Sequence, residues 1–316
     1  MKAIILNEFG GSDKLQLGEI ETPVPQKNEV LVGVHFAGVN PVDWKIREGF
    51  LQGHLPHQLP IILGWDVSGE IVKVGDDVRN WKVGDKVYSY ARKPTVQFGT
   101  YAEFVALDAQ NVATVPATLS MAEAASIPLV ALTAWQALFD IAKLEKGQVA
   151  LIQAGAGGVG GIAIQLAKNA GATVITTASE KNHGYVKELG ASLVIDYSKE
   201  NFAAVVKREY PQGVDVVFDC AGGPALNESY DLVRKGGTLV SIVETPDEKR
   251  GQELGIKVAY HFVTPSGAEL KQIAGLIDSK KVQALALEVL PLAQAAEAHT
   301  KSQTRHQRGK IVLQVK

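Results

Sequence analysis

Cysteine is nearly absent: Cys220 is the only one in the 316-residue chain. That excludes an internal disulfide framework and any multi-cysteine metal site. An excess of charge is absent too. Thirty-two basic side chains face 34 acidic ones, a net charge of −2, so no global field favours nucleic acid and no such partner is expected. No apolar stretch reaches membrane-spanning length, and no membrane partner is expected. The opening run Met1-Lys2-Ala3-Ile4-Ile5-Leu6 is too short for a signal peptide and reads as a strand. A reducing cytoplasm is the simplest setting. Internal repeats and low-complexity segments are also missing.

What is present is an ordinary globular composition, 46% hydrophobic and 21% charged. The length suits about two domains and a large core. Residues 1 to about 125 are β-rich. Runs such as Glu29–Phe36, Val67–Val74 and Lys86–Tyr90 are separated by turn signals, among them Gly75-Asp76-Asp77 and Val83-Gly84-Asp85. This pattern predicts an irregular β-barrel. From Ala122 to Ala142 the period becomes helical, with a break at Pro128.

The most informative stretch is Val149 to Ser179. A short apolar strand leads into Gly155-Ala156-Gly157-Gly158-Val159-Gly160. Ile162, Leu166 and Ala170 then recur at helical spacing, Gly171 caps the helix, and a β-branched strand follows. Strand, glycine turn and helix within about thirty residues form a dinucleotide-binding unit. A pyrophosphate would sit on the free N–H groups of the first helical turn. Gly155 is read as permitting the tight turn, Gly157 as admitting the phosphate, and Gly160 as letting the helix pack on the strand. Gly158 and Val159 complete the cofactor-facing turn.

The end of the next strand selects the nucleotide. Ser179 and, just beyond, Lys181 suit a 2′-phosphate, which points to NADPH. Glu180 falls in the spacing at which a carboxylate binds the ribose hydroxyls of NAD, so an inward Glu180 would reverse that preference. Further strands are predicted at Gly190–Tyr197, Val214–Cys220 and Gly237–Val243, giving a doubly wound parallel sheet of five. Helices at 267–280 and 291–300 and a closing strand at 309–315, which rejoins the first domain, complete the chain.

Several segments in this order resemble the zinc-independent quinone oxidoreductase branch of the medium-chain dehydrogenase/reductase superfamily. They are Ala37-Gly38-Val39-Asn40-Pro41-Val42-Asp43, Gly64-Trp65-Asp66-Val67-Ser68-Gly69, Val83-Gly84-Asp85-Lys86-Val87, the glycine turn, and Arg308-Gly309-Lys310-Ile311-Val312-Leu313. The resemblance implies an α/β fold of two parts. One is a GroES-like β-barrel catalytic domain, residues 1–125 and 265–316. The other is a Rossmann doubly wound parallel-sheet domain binding NADPH, residues 126–264. Zinc-dependent relatives place a cysteine near the Asn40 position and a histidine where Trp65 stands, and carry a lobe with four cysteines, so no metal site is expected. His54 and His57 lack an apparent third ligand and read as loop histidines. Without zinc, alcohol oxidation loses its Lewis acid. Quinones and α,β-unsaturated carbonyls are the substrates the branch implies.

The resemblance also assigns residues. Asn40 matches an active-site polar residue, or it holds the turn before Pro41. Thr133 matches a cofactor-contacting threonine, or it bonds its own helix. Tyr197 matches a tyrosine flanking the adenosine phosphate, or it is a packed surface aromatic. Cys220 falls near the nucleotide as a small packed residue rather than a nucleophile. Lys310 and Arg308 either reach the cofactor or stand as solvated charges. Trp44, Phe50, Phe98 and Phe262 are candidates for an apolar pocket or for plain core. Relatives often show a tyrosine after the asparagine, whereas Phe50 here cannot donate a proton. The family is often dimeric, so a homodimer is expected. Two functions of different class follow: NADPH-dependent reduction of quinones or enones, or an NADPH-binding structural, sensory or RNA-associated role with little turnover.

Overall fold

Strand register and glycine contacts organise the chain, and the computed structural model describes all 316 residues. Nine strands come first: β1 (Lys2–Leu6), β2 (Leu15–Glu19), β3 (Glu29–Val39), β4 (His57–Ile62), β5 (Asp66–Val74), β6 (Lys86–Tyr90), β7 (Val96–Phe98), β8 (Phe104–Asp108) and β9 (Val112–Thr114). Six follow in the middle: β10 (Val149–Ile152), β11 (Thr173–Thr177), β12 (Leu193–Ile195), β13 (Val214–Asp219), β14 (Val233–Ser241) and β15 (Lys257–Tyr260). The last two are β16 (Leu287–Pro291) and β17 (Lys310–Gln314). The chain divides into two units. Unit 1 holds Met1–Leu132, Thr264–Lys280 and Ala284–Lys316, and unit 2 holds Thr133–Val263 and Lys281–Gln283.

Unit 1 is built on β3, whose eleven residues are mostly apolar and buried. β5 pairs along one side of it. On the other side β8 pairs with residues 29–33 and β17 with residues 36–39. A register shift between Val34 and Phe36 marks the bulge that bends the strand and lets it serve two partners. β16 lies parallel to β17, and β6 and β9 extend the sheet beyond β5. A second, four-stranded sheet has the order β2-β1-β4-β7. The helix expected from residue 291 starts later: Pro291 ends β16, and the α-helix is Ala295–Gln303.

Unit 2 is a six-stranded parallel sheet in the order β12-β11-β10-β13-β14-β15. This is the doubly wound order, with its reversal between β10 and β13. The sequence pattern predicts five strands; β15, only four residues long and partly polar, is the sixth. Leu151, Ile175, Ile195, Val217 and Leu239 come one from each of five strands and share one buried core with Phe202 and Leu226 from the covering helices. Burial of this kind contributes roughly 25 cal/mol per Å² of apolar area removed from water.

Candidate functional site

The glycine turn of unit 2 joins β10 to the twelve-residue helix Gly158–Asn169. Its three motif glycines differ physically. A Cβ on Gly155 would overlap Thr176 Oγ1, and one on Gly160 would overlap the carbonyl of Ala154. A Cβ on Gly157 would meet only that carbonyl, at 3.4 Å, an ordinary contact. Two glycines are therefore filled in by the protein, and the third faces open space at the helix N-terminus. Gly157 is the N-cap, and the first-turn N–H groups of Gly158, Val159 and Gly160 have no intrahelical acceptor. Such a terminus favours an anion. The tight turn itself is not supplied by Gly155. The left-handed residue is Ala154, with φ +53°, held by its N–H donating to Thr177 Oγ1 at 3.0 Å. Gly155 is needed for its close approach to β11. Just before the turn, Gln153 is buried. Its amide donates to Ser229 Oγ at 2.7 Å, while its Oε1 has no partner.

The ends of β11 and β12 form the second part. Thr177 pairs with Ile195, so Ser179 and Tyr197 each stand two residues past a paired position at the same edge. Ser179 is half-buried and its Oγ accepts from Asn182 Nδ2 at 3.2 Å. Lys181 is exposed. Tyr197 is 53% exposed. Glu180 points at Lys199, with Oε2 2.6 Å from Nζ. Asp196 Oδ1 accepts from the Ser198 hydroxyl at 2.6 Å and from its N–H at 3.0 Å, and these bonds hold the carboxyl below its usual range. Its Oδ2 is buried without a partner. Cys220 follows β13, half-buried. Burial pushes its thiol well up, which suits a packed neutral side chain and not a nucleophile. Asp219 beside it accepts from Ser241 Oγ at 2.7 Å and from the N–H groups of Ala221 and Gly222, tying the β13 and β14 loops together.

Unit 1 holds a buried polar cluster that sequence reasoning found only in part. Register explains it. Ile311 pairs with Val39 and Gly38 with Asp66, so β17, β3 and β5 bring Lys310, Asn40 and Asp66 side by side. The Asn40 amide donates to Asp66 Oδ2 at 2.8 Å and its Oδ1 accepts from Lys310 Nζ. Lys310 also donates to Val39 O at 2.9 Å and lies 3.5 Å from Asp66 Oδ2. An ammonium has three hydrogens, and all three have acceptors here. Lys310 is 4% exposed, which corrects one alternative of the sequence reading: it is not a solvated charge. Burial raises the Asp66 carboxyl and lowers the Lys310 ammonium, each opposed by the other's charge.

One turn further on, Asp43 Oδ2 accepts from the Asn40 N–H and from Tyr101 Oη, both at 2.8 Å. Its Oδ1 is buried and unpartnered. Burial raises this carboxyl to about 7, against the opposing hydrogen bonds. Tyr101 Oη lies 3.3 Å from His299 Nε2, and His299 Nδ1 lies 3.4 Å from Arg47 Nη1. Since Tyr101 gives its proton to Asp43, Nε2 must carry the His299 hydrogen and Nδ1 must accept from Arg47. Burial, then the Arg47 charge, lowers His299 to about 3, so it is neutral. The sequence reading did not single out Asp43; its signal was the capping-box spacing, the third residue after the N-cap Asn40. Tyr101, 58 residues away, and His299, 198 further on, carry no sequence signal.

The other assigned residues are placed as follows. Thr133, 3% exposed, lies in the helix Pro128–Trp135. Trp44 is buried and meets the ring edge of Phe50 at 6.2 Å, whereas Phe50 and Phe98 are 61% and 42% exposed. His57 Nδ1 lies 2.6 Å from Leu55 O, and no group of three or more His, Cys, Asp or Glu side chains is arranged to hold a metal ion. No helix is long and apolar enough to cross a membrane.

Comparison with known proteins agrees with this architecture. Residues 26–117 match the alcohol dehydrogenase GroES-like domain, and residues 189–313 match the zinc-binding dehydrogenase family. The NADPH-dependent alkenal/one oxidoreductase, chloroplastic, of Arabidopsis thaliana is 35% identical, over 99% of this chain and 79% of that one. The quinone oxidoreductase structure from Coxiella burnetii is 36% identical with a TM-score of 0.90, covering 100% of this chain and 99% of that one. The Escherichia coli quinone oxidoreductase complexed with NADPH is 28% identical, also at 0.90, covering all of both chains. The chain therefore belongs to the medium-chain dehydrogenase/reductase superfamily, in its quinone oxidoreductase and alkenal reductase branch, and is an NAD(P)H oxidoreductase.

Proposed function

We propose that the protein reduces quinones or α,β-unsaturated carbonyl compounds with NADPH, without a metal. The observation that carries this reading is the Lys310–Asn40–Asp66 cluster. Where zinc-dependent relatives place cysteine and histidine ligands, this chain has Asn40, Trp65 and a buried ammonium already bonded to three oxygens. The ammonium already occupies these oxygens, and neither a carboxamide nor an indole replaces a thiolate or an imidazole as a zinc ligand. Acceptors that need no Lewis acid remain, and a quinone or enone is one.

The unit 2 residues fit a dinucleotide. The pyrophosphate belongs on the first turn of Gly158–Asn169, in the space left open at Gly157. Ser179 and Lys181 suit the 2′-phosphate of NADPH, with Tyr197 beside them, and Cys220 packs near the nucleotide. The cofactor, when bound, supplies the hydride. Asn40 and Thr133 are proposed to position the reactants. The Asn40 amide is bonded at both ends, and a fixed group positions well. Lys310 enters as the group that holds Asn40. Neither Asn40 nor Thr133 titrates near neutral pH, so their replacement should lower rate without moving the pH profile.

A panel of quinones and enones with NADPH tests the reading. Steady cofactor consumption is expected, with deuterium from the transferring position of NADPH appearing on the product carbon. Tight NADPH binding with no consumption across the panel would favour the alternative of a structural, sensory or RNA-associated protein.

A further inference from the structure

Glu180 stands between Ser179 and Lys181, where a free carboxylate would accept the ribose hydroxyls of NADH and repel a 2′-phosphate. It is not free. Its Oε2 lies 2.6 Å from Lys199 Nζ, and the two side chains are 72% and 61% exposed. Lys199 reaches it from the turn after β12, where its backbone N–H donates to Asp196 O at 3.0 Å. The turn is rigid on its own terms, because Asp196 Oδ1 accepts both the hydroxyl and the N–H of Ser198. An exposed ion pair adds little to stability. Its presence at this edge, nineteen residues apart in sequence, calls for another role.

Resting on the NADPH reading above, we infer that Lys199 is a specificity-determining residue that masks Glu180 and thereby sets the preference for NADPH over NADH. The charges at this corner are Lys181, Lys199, Glu180 and the buried Asp196, with His183 behind, its ring nitrogen 3.1 Å from Ala178 O. With the pair closed, Glu180 is compensated and Lys181 is left to attract the phosphate. With Lys199 removed, the corner carries two carboxylates against one lysine.

The test is direct titration of NADPH and of NADH onto the purified protein, read by cofactor fluorescence without substrate. Both side chains are on the surface, so the variants should fold. Lys199→Ala should weaken NADPH by about tenfold and tighten NADH. Adding Glu180→Ala to it should restore NADPH to within about threefold of the parent, because nothing is left to mask. An unchanged NADPH-to-NADH ratio in Lys199→Ala, with the parent still preferring NADPH, overturns this inference alone. A double variant as weak as Lys199→Ala also overturns it, since Lys199 would then serve the phosphate directly. A parent that binds NADH more tightly overturns the NADPH reading and this inference with it.

Discussion

Replacing each motif glycine by alanine should separate folding from cofactor binding. Gly157→Ala adds a Cβ that meets one atom at van der Waals distance, on a backbone at φ −79° and ψ 177° that any residue adopts. The loss of a glycine N-cap costs up to about 1 kcal/mol, and the reduced freedom of the unfolded chain returns about 0.4–1 kcal/mol. Stability should therefore stay within about 1 kcal/mol of the parent. The same methyl fills the space where the pyrophosphate is proposed to sit. Losing one hydrogen bond to a charged group costs about 1.5–3 kcal/mol, a drop in NADPH affinity of about 10- to 150-fold.

Gly155→Ala and Gly160→Ala should behave in the opposite way. Each forces a methyl into Thr176 or into the Ala154 carbonyl, atoms fixed by the sheet and the turn. Overpacking of this kind costs about 1–3 kcal/mol or more. Urea denaturation and fluorescence titration on the three variants give both numbers. Gly157→Ala with parental NADPH affinity would refute the placement of the pyrophosphate. Gly157→Ala as unstable as Gly160→Ala would refute the packing argument.

Lys310→Met should cost about 3–5 kcal/mol, because it leaves the Asp66 carboxylate buried beside no ammonium. Adding Asp66→Asn should recover part of that loss, and equal destabilisation of the single and double variants in urea would count against the pair. Burial raises Asp43 to about 7, so its contribution is fully present below its unfolded value and is lost as pH rises through 7. Burial lowers His299 to about 3, so its contribution is present above 6.5 and lost as pH falls toward 3. The two slopes oppose one another between pH 4 and 6.5. Asp43→Asn should therefore expose the histidine slope, a loss of about 3 kcal/mol on acidification across that window, and a pH-independent difference from the parent would refute the assignment. Thr133→Ala should lose about tenfold or more in rate if Thr133 positions a reactant, and a parental rate would remove it from the site.

The parts legible in the sequence are those encoded by local pattern. The glycine turn, its helix and β10 to β14 announce themselves through period and punctuation, because these strands are short apolar runs between turn signals and the helix after the glycine turn shows an apolar stripe. β15 escaped because Lys257-Val258-Ala259-Tyr260 is an edge strand, half-exposed and without a continuous apolar run. The role of Gly155 was misread for a related reason. Sequence shows that a glycine is present, but not whether it serves dihedral freedom or close approach. The positive φ falls on Ala154, which composition would never nominate.

The buried cluster of unit 1 shows where such reading stops. That Lys310–Gln314 form a strand is a local fact; that Ile311 lies opposite Val39 is a register, set by the packing of β3 against its partners. A slip of one residue would turn Lys310 to the other face and Asn40 would lose its partner. The bulge between Val34 and Phe36 and the close fit at Gly38 fix how β3 meets β5, the other half of the cluster. A Cβ on Gly38 would overlap the Ala125 carbonyl and sit 2.7 Å from Asp66 Cβ. Gly38 thus lets β3 approach β5 and the helix Met121–Ala125 closely enough for Asn40 to reach Asp66. Lys310 could be read as a solvated charge only while its neighbours were unknown. Once the register is fixed, an ammonium at that position has an amide, a carbonyl and a carboxylate in place of water, and its charge becomes part of the site's architecture.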